Sequence, residues 1–375
     1  MALVLNEEQL MLQDAAHDFL TSRAPVSHLR ELRDSGNSDG FSRELWREIV
    51  EMGWAAILVP EEHGGLGYGY AGIGIVLQQS GRTLTPSPLL SSAMIGVAAL
   101  NRAASQDQCE SILPNVATGK QLIALAVDES TQHRPDVCNT QASKTSDGFK
   151  LSGSKVNVLD GHVADTLIVS ASTGDGAELS LFLVPSNASG IQIEHVALLD
   201  THHAANIRFD DVKLDQSALL GKPESGSGDL DYILDVARIG QSSELLGIAE
   251  EAFERTVEYL KERKQFGVPI GSFQGLQHRA AVMFGEIEMC KSAVLNALAA
   301  LDSASENLAE IASMTKAKLA ETTHNVAAEA VQMHGGIGMT DEFDIGFFLK
   351  RCRILETIYG DRYFQLDRFA EIRGY

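Results

Sequence analysis

The sequence pattern changes twice along the chain, and the order of these changes constrains the fold more than any other feature. Up to about residue 119, apolar residues recur at helical spacing. Short β-branched runs broken by Gly, Pro, Asp and Ser follow, as far as about residue 209. After a Gly- and Ser-rich linker at Gly221–Asp229, four long segments are apolar on one side and carry no strand signal. The order predicts helices, then a small all-β domain, then a helical bundle.

We therefore expect a multi-domain α and β protein with three parts. An N-terminal helical domain is predicted at 1–120, a central small β-barrel or sandwich at 121–222, and a C-terminal antiparallel four-helix bundle at 228–375. The first helices are expected at Asn6–Arg33, Ser42–Met52, Ala71–Arg82, Leu89–Arg102 and Asp107–Ala117. Strands are expected at Leu122–Val127, Gly148–Val158, Ala164–Ala171, Glu178–Val184, Ile191–His195 and Asn206–Phe209. The bundle helices are expected at Leu230–Lys264, Phe273–Ser303, Asn307–His334 and Glu342–Arg373.

Charge and cysteine content exclude several classes of protein. The 30 basic and 51 acidic residues give a formal net charge of -21, which argues against nucleic acid as a partner. The four cysteines form no CxxC pair, so neither a disulfide framework nor a zinc knuckle is indicated. The N-terminus lacks the pattern of a signal peptide, and no apolar run approaches the roughly 20 residues of a membrane span. We expect a cytoplasmic protein without a membrane span.

The first motif lies in Tyr259–Gln277, where one helix is expected to end at Gly267 and the next to begin near Ser272. It places Arg263, Phe266 and Gln274 around one helical corner. A guanidinium fork matches phosphate oxygens and an aromatic ring stacks on a heterocycle, so the corner suits a diphosphate that carries a heterocycle. The alternative is an ordinary helix hairpin whose Arg263 is solvated.

The second motif, Ala327–Met339, carries an apolar helix into three glycines. Gly335, Gly336 and Gly338 allow a ligand to approach the backbone closely, and Gln332, Met333 and His334 precede them. A helix C-cap explains one glycine more easily than three. The spacing is not GxGxxG after a strand, so a Rossmann site is not indicated.

Together these segments resemble the acyl-CoA dehydrogenase family of flavoproteins. Its members carry an RxxFG turn, an FQxxQ helix start and a QxxGGxG corner, which match Arg263–Gly267, Phe273–Gln277 and Gln332–Gly338. Pro60–Gly67, with the sequence PEEHGGLG, is similar to the family's PEExGGLG. The C-terminal GGIGMTDEFD and LKR patterns resemble the members that act in steroid side-chain degradation. The resemblance spans almost the whole chain.

The resemblance implies FAD bound between the β-domain and the bundle, with its adenosine diphosphate end reaching a neighbouring subunit of a homotetramer or related assembly. Arg263 would contact the diphosphate, and Phe266 and Gln274 would line the adenosine half. Gln332, Met333, His334, Gly335 and Gly336 would lie along the same end. The implied reaction is α,β-dehydrogenation of an acyl-CoA thioester. A carboxylate removes the α-proton, the β-hydrogen leaves as hydride to the flavin, and an electron-transfer acceptor reoxidises it.

The sequence departs from the family at the catalytic base. Most members place a glutamate directly after a C-terminal tyrosine, whereas this chain has Tyr359, Gly360 and Asp361. A minority place it just before an arginine that looks like Arg238, the candidate substrate residue, where this chain has Ala237. Three interpretations stay open. Asp361 acts as the base; the chain is a non-catalytic or half-site subunit of a heterotetramer with a related chain; or Asp361 is a helix N-cap.

The predicted β-domain departs as well. The family's TEPxxGSD loop is replaced by Val127–Ser130, and its WITN strand by Asn157–Asp160. The acyl site therefore differs in shape, which indicates an atypical or bulky acyl group, or no substrate at all. No metal site is predicted, because His162 has no partner at ligand spacing and the adjacent His202 and His203 point apart on a strand.

Overall fold

The computed structural model describes residues 4–173, 178–222 and 226–375. Residues 223–225 of the expected linker lie outside this range. Contacts divide the chain into two compact units. The first, which we call the helical unit, consists of the segment through Asp34, Gly74–Pro86 and Arg238–Tyr375. The second, which we call the sheet unit, consists of Ser35–Ile73 and Ser87–Ala237. The three-domain boundaries stay a prediction.

Helices occupy both ends of the chain. They are α1 Glu7–Arg23, α2 Val26–Ser35, α3 Arg43–Glu51, α4 Tyr70–Thr83, α5 Val97–Ala103, α6 Gln106–Ala117, α7 Gly226–Glu262, α8 Gln274–Asp302, α9 Leu308–His334, α10 Ile345–Leu355 and α11 Arg362–Arg373. A π-helix at Leu89–Gly96 precedes α5. In the part of the chain that the structure describes, no helix is both long enough and apolar enough to cross a bilayer.

Two of the predicted helices are each divided in the structure. The predicted helix Asn6–Arg33 is interrupted between α1 and α2, because Pro25 has no amide hydrogen to continue the helical bonding. The predicted helix Glu342–Arg373 is also two helices, α10 and α11, separated by Tyr359 and Gly360, which both have positive φ. Five helices rather than the expected four therefore occupy the described residues from 226 onward.

The central strands form one mixed sheet. They are β1 Ile123–Ala126, β2 Gln141–Lys144, β3 Gly148–Leu159, β4 Thr166–Thr173, β5 Glu178–Pro185, β6 Ile191–Ala197, β7 His203–Asp215 and β8 Leu219–Leu220. The order is β6-β7-β3-β2-β4-β5-β8, with β1 paired to β4. β4 pairs in parallel with β1 and β2, and the other pairs are antiparallel. The helical, sheet and helical order confirms the predicted fold class.

The core of the sheet unit is built from residues that alternate along these strands. Phe149 and Phe182 meet edge to face with ring centroids 5.0 Å apart. Around them pack the buried side chains of Leu151, Val158, Leu167, Val169, Val184, Ile207, Phe209 and Val212. The sequence signal that predicts these strands is a series of short β-branched runs broken by Gly, Pro, Asp and Ser.

In the helical unit, α4 and α7 approach each other closely at small residues. A Cβ atom at Gly81 or Gly247 would overlap a main-chain oxygen of the facing helix, so both positions require glycine. Beside this contact, Arg82 of α4 forms ion pairs with Glu250 and Glu251 of α7, at 3.6 and 2.9 Å. The packing fixes the central part of α7, which carries Arg238, Gln241 and Glu244.

Candidate functional site

The turn after α7 is a two-residue β-hairpin. α7 ends at Glu262, and the short strands β9 Lys264–Gln265 and β10 Val268–Pro269 pair antiparallel. Phe266 and Gly267 between them have φ of 54° and 82°, the left-handed conformations that such turns require. The predicted end of the helix at Gly267 is therefore wrong by five residues, because the tight turn needs those residues outside the helix.

This hairpin presents ligand-binding groups to the exterior of the chain. Phe266 is 91% exposed, and its ring meets that of Phe273 edge to face at 6.1 Å. Arg263 and Gln274 are also exposed. The guanidinium of Arg263 makes no hydrogen bond or ion pair with any described residue, so it is available to an anion. The structure brings together the three residues of the first motif.

The glycine corner follows the end of α9. Gly335 has φ 65° and ψ -140°, a conformation that is essentially restricted to glycine, and its N–H bonds to the carbonyl of Gln332. A Cβ atom at Gly335 or Gly336 would meet no atom within 4 Å. Both glycines and Gln332 are exposed, so the backbone here is open to a ligand.

Met333 and His334, by contrast, face the interior. Nδ1 of His334 donates to the carbonyl of Ala330 at 2.7 Å, and burial lowers the pKa of this histidine. Its ring stacks on that of Tyr259 with centroids 4.4 Å apart and lies 4.8 Å from that of Phe343. Met333 is 5% exposed. Contact of these two residues with a ligand is therefore restricted to their backbone.

The stack of Tyr259 on His334 joins the two corners, because Tyr259 lies one helical turn before Arg263. Together the corners offer an unpaired guanidinium, an exposed aromatic ring and an open glycine backbone. These groups fit the diphosphate and heterocycle of a dinucleotide cofactor.

A second part of the site is the corner between α10 and α11. Arg238 is 1% exposed, and its Nε donates to the carbonyl of Tyr359 at 3.1 Å. Nε2 of Gln365 donates to the same oxygen at 2.9 Å and to the carbonyl of Gly360 at 3.2 Å. The guanidinium carbon of Arg238 also lies 5.5 Å from the ring centroid of Phe364. Arg238 thus holds the corner in a fixed conformation.

Gly360, the position of the family's usual glutamate, leaves no room for a side chain. A Cβ atom there would overlap the ring of Phe364 and lie 2.5 Å from Nε2 of Gln365, and φ is +100°. Asp361 is exposed and caps α11, where Oδ1 accepts from the amide of Phe364 at 2.9 Å. Ala237, the other family position for the base, is fully buried.

Two further polar residues of α7, at three-residue spacing from Arg238, bind side chains of α9 and α10. Oε1 of Gln241 accepts from Nζ of the buried Lys316 at 2.7 Å, and Lys316 also donates to the carbonyl of Leu355. Burial lowers the pKa of Lys316 to about 7. Glu244 pairs with Arg351 at 2.7 Å, with both side chains buried. This row of residues was not predicted, although polar residues at positions 238, 241 and 244 of an otherwise apolar stretch of helix are a sequence signal for it.

In the sheet unit, the segment that replaces the family's flavin loop is tied down internally. Nζ of the buried Lys155 donates to Oε1 of Glu129 at 2.9 Å and to the carbonyl of Val127 at 2.9 Å. Amides of Asn139 and Thr140 donate to the same carboxylate. Burial alone would raise the pKa of Glu129, but Lys155 and these amides lower it to about 2. Glu129 is therefore ionised and structural.

The segment at the family's WITN position contains a bulge. The pairing of β3 with β7 shifts register between Lys155 and Val158. Asn157 and Asp160 have φ of 52° and 53°, and Asp160 accepts from the hydroxyl of Ser91 at 2.5 Å. Bulges re-aim side chains beside functional sites, so the local backbone here is shaped differently from a regular strand.

Comparison with known proteins agrees with this arrangement. Family models described as the N-terminal and C-terminal domains of acyl-CoA dehydrogenase match residues 6–120 and 225–372. The acyl-CoA dehydrogenase IpdE2 of Mycobacterium tuberculosis is 31% identical over 348 residues, which cover 92% of this chain and 91% of that protein.

Two solved structures are similar over nearly their full length. A variant of the Tcur3481-Tcur3483 steroid ACAD is 29% identical, with a TM-score of 0.89 and 98% of each chain covered. The ChsE4-ChsE5 complex from Mycobacterium tuberculosis is 25% identical, with a TM-score of 0.90 and 100% of each chain covered. With the family models and the curated relative, they establish that this chain belongs to the acyl-CoA dehydrogenase family of FAD-dependent oxidoreductases.

Proposed function

We propose that the chain binds FAD at the corners of Arg263 and Gly335 and takes part in the α,β-dehydrogenation of an acyl-CoA thioester with a bulky acyl group. Family membership gives the reaction class. The observation that carries the cofactor site is the exposed guanidinium of Arg263, which has no hydrogen bond or ion pair among the described residues, together with two glycines that have open space beside their backbone. FAD, when bound, supplies the hydride acceptor that side chains lack.

The residues of this chain would then bind and orient the cofactor. Arg263 holds the diphosphate through its planar fork, while Phe266 and Gln274 line the adenosine half. Backbone groups from Gln332 to Gly336 contact the same end. All of these groups face away from their own chain, so a second chain completes the site.

The surface of α8 supports such an assembly. Val282, Phe284 and Met289 are 67%, 54% and 52% exposed. Exposed apolar side chains that recur along one helix are typical of subunit interfaces. We therefore propose a homotetramer, or a heterotetramer with a related chain, that delivers its electrons to a separate acceptor.

A bulky substrate is supported by the altered flavin loop. Glu129 is committed to Lys155 and to backbone amides, and β3 is bulged beside it. The tryptophan and threonine that the family usually places near the thioester are absent from these segments. One of the similar structures is described as a steroid ACAD, which makes steroid-like acyl groups the first to test.

A second candidate is a half-site subunit that completes the FAD site of a partner without supplying a base. The closed surroundings of Gly360 and the buried Ala237 favour it, because neither family position offers a carboxylate. Asp361 is the base candidate that the sequence offers next to Gly360, and its capping bond holds one carboxylate oxygen. Two similar structures are described by paired chain names, Tcur3481-Tcur3483 and ChsE4-ChsE5.

The test is to purify the chain alone and with a related chain that retains a base glutamate. Flavin absorbance near 450 nm and its bleaching by acyl-CoA thioesters of increasing bulk are recorded, with a dye acceptor for turnover. If the chain alone is yellow and bleached, Asp361→Asn should abolish bleaching and leave the flavin bound. Glu342→Gln, another carboxylate of the C-terminal region, is the control.

Activity that needs the second chain, and that survives Asp361→Asn in this one, supports the half-site function. A colourless preparation in both states, with no flavin recovered after addition of FAD, would contradict the proposed function altogether.

A further inference from the structure

Three histidines of the sheet unit converge, although they are far apart in sequence. His162 follows β3, His195 lies in β6 and His203 begins β7. One ring nitrogen from each lies within 4.8 Å of the other two. The ring centroids are 5.0 Å apart for His162 and His195, 5.4 Å for His162 and His203, and 4.2 Å for His195 and His203.

The strand register produces this convergence. In the pairing of β6 with β7, His195 is opposite Ala205 and Ala197 is opposite His203. His195 and His203 are therefore diagonal neighbours on one face of the sheet, close enough for ring side chains to meet. The sequence analysis predicted no metal site because it compared His203 with its neighbour His202, whereas the partner comes from the adjacent strand.

In each of the two less exposed rings, one nitrogen bonds to the backbone and the other has no hydrogen-bond partner among the described residues. Nε2 of His162 donates to the carbonyl of Asp39 at 3.0 Å, and its Nδ1 is buried without a hydrogen-bond partner among the described residues. The His203 ring bonds to the backbone of Ser38, and its Nδ1 is likewise buried and unpartnered. Since Nδ1 of His203 is unpartnered, its donor to Ser38 is Nε2.

This is the bonding pattern of histidines that bind metals. A metal-ligating imidazole commonly donates its other ring N–H to a backbone carbonyl, which fixes the tautomer and leaves a lone pair for the ion. Two orphaned buried nitrogens in one cluster are costly unless something pairs with them. The absence of a side chain at Gly40 leaves room for the ring of His203, because a Cβ there would lie 2.7 Å from its Nδ1.

We propose that His162, His195 and His203 bind a divalent transition-metal ion of the Zn²⁺ class through one imidazole nitrogen each. Imidazole is a preferred ligand of zinc, nickel and copper, and three such ligands leave a fourth position for water. Tetrahedral zinc at about 2.1 Å from each nitrogen holds them about 3.4 Å apart. Small side-chain rotations close the cluster to that spacing, and the exposed His195 gives the ion a path from solvent.

The bound ion would cross-link β6, β7 and the turn after β3. Because it binds the folded sheet unit and not the unfolded chain, it would raise the stability of the protein with metal concentration. All three ligands belong to the sheet unit, whereas Arg263 and the glycine corner belong to the helical unit.

The test is zinc binding by the full-length protein, stripped with a chelator and then dialysed against micromolar ZnCl₂. Metal content is measured by mass spectrometry, affinity by calorimetry, and the melting temperature with and without zinc. The test variant is His195→Ala, because its side chain is exposed and its loss leaves the fold intact. The matched control is His202→Ala, whose Nδ1 lies 3.3 Å from Asp200 rather than in the cluster.

We expect the wild type and His202→Ala to retain one more zinc ion per chain than His195→Ala. Zinc should also raise the melting temperature of the wild type and of His202→Ala, but not that of His195→Ala. The affinity of that site should fall about tenfold or more in His195→Ala, as expected for loss of one of three ligands. Equal zinc content, affinity and melting shift in the wild type and His195→Ala would overturn the proposal. Absence of stoichiometric zinc from the wild type would do the same.

Discussion

Nε of Arg238 donates a 3.1 Å hydrogen bond to the main-chain carbonyl of Tyr359, and both residues are buried. This bond joins the middle of α7 to the corner where the family usually carries its base. We expect Arg238→Met to lower the free energy of unfolding by about 2 kcal/mol or more, because a bond from a charged donor is lost in a buried setting. Urea denaturation measures it, with the partly exposed Arg362→Met as control. Equal losses in the two variants would show that the buried bond contributes nothing specific.

A side chain at position 360, where the family usually has its glutamate, should destabilise the chain. We expect Gly360→Ala to destabilise the chain by about 1–3 kcal/mol, because the residue has positive φ and its Cβ would overlap Phe364. Gly374→Ala is a matched control, since φ is +79° there but no atom lies within 4 Å of the added Cβ. The difference between the two variants, measured by urea denaturation, isolates the steric overlap.

Gly360→Glu tests the same corner by activity. With the backbone as described, the new carboxylate cannot take the family position without displacing Phe364 or Gln365. We therefore expect no gain in dye reduction by the chain alone. A gain of tenfold or so in turnover, with the fold retained, would mean that the corner repacks easily.

Arg263 should matter for flavin retention more than a neighbouring cation does. Loss of a bidentate charged contact costs about 1.5–3 kcal/mol, which corresponds to about tenfold to a hundredfold in affinity. We expect Arg263→Gln to lower FAD affinity to that extent. Lys264→Gln, an exposed residue one position along, should leave it nearly unchanged. Flavin content after gel filtration and titration of the stripped protein with FAD measure both.

The buried pair of Lys155 and Glu129 should govern acid stability of the sheet unit. The pKa of Glu129 is about 2 in the folded chain, whereas the ordinary value of 4.5 applies to the unfolded chain. The unfolded state therefore binds the proton first, so this contribution is complete above about pH 4.5 and is lost as the pH falls toward 2. Glu129→Gln should flatten the pH dependence of unfolding in that window. Glu194→Gln, at an exposed carboxylate that bonds Asn206, should not.

Lys155→Met should lower the free energy of unfolding more than Glu129→Gln does. Lys155→Met leaves Glu129 ionised at neutral pH and largely enclosed, which typically costs about 3–5 kcal/mol. If Lys155→Met and Glu129→Gln lowered the unfolding free energy equally at pH 7, the predicted order of the two variants would be wrong.

Much of the fold could be predicted from local sequence, because β-branched runs bounded by turn residues and apolar residues at helical spacing are short-range signals. Strand β2 was missed because its sequence, Gln-Ala-Ser-Lys, is polar and mostly exposed, so no apolar alternation marks it. The break after α10 was missed because only one glycine signals it, while the positive φ of Tyr359 depends on bonds from Arg238 and Gln365. Tertiary contacts determine such conformations.

The candidate site likewise contains residues that local sequence predicts and residues that only tertiary contacts bring together. Arg263, Phe266 and the two exposed glycines could be found from sequence because the motif is contiguous. The hydrogen bond between Gln241 and Lys316, like the three-histidine cluster, joins residues that are distant in sequence. The packing of α7 against α9 brings Gln241 and Lys316 together.

Lys316 provides a test of that packing by alkaline titration. Burial lowers its pKa from 10.5 to about 7, so between these values the unfolded chain binds one more proton than the folded chain does. The free energy of unfolding should therefore rise with pH across this window, with a slope from this residue that approaches about 1.4 kcal/mol per pH unit. Below about pH 7 both states are protonated and the contribution is flat.

Lys316→Met should remove this part of the slope. Cys352, whose pKa burial raises, acts in the opposite direction above about pH 8.5. The measured quantity must therefore be the difference between wild type and variant, from urea denaturation at pH 6.5, 8 and 9.5. Lys318→Met is the control, because Lys318 is partly exposed and pairs with Glu286 at the surface. Parallel curves for the wild type and Lys316→Met would mean that Gln241 and Leu355 keep the lysine charged throughout, and that the interior here accepts an ammonium ion.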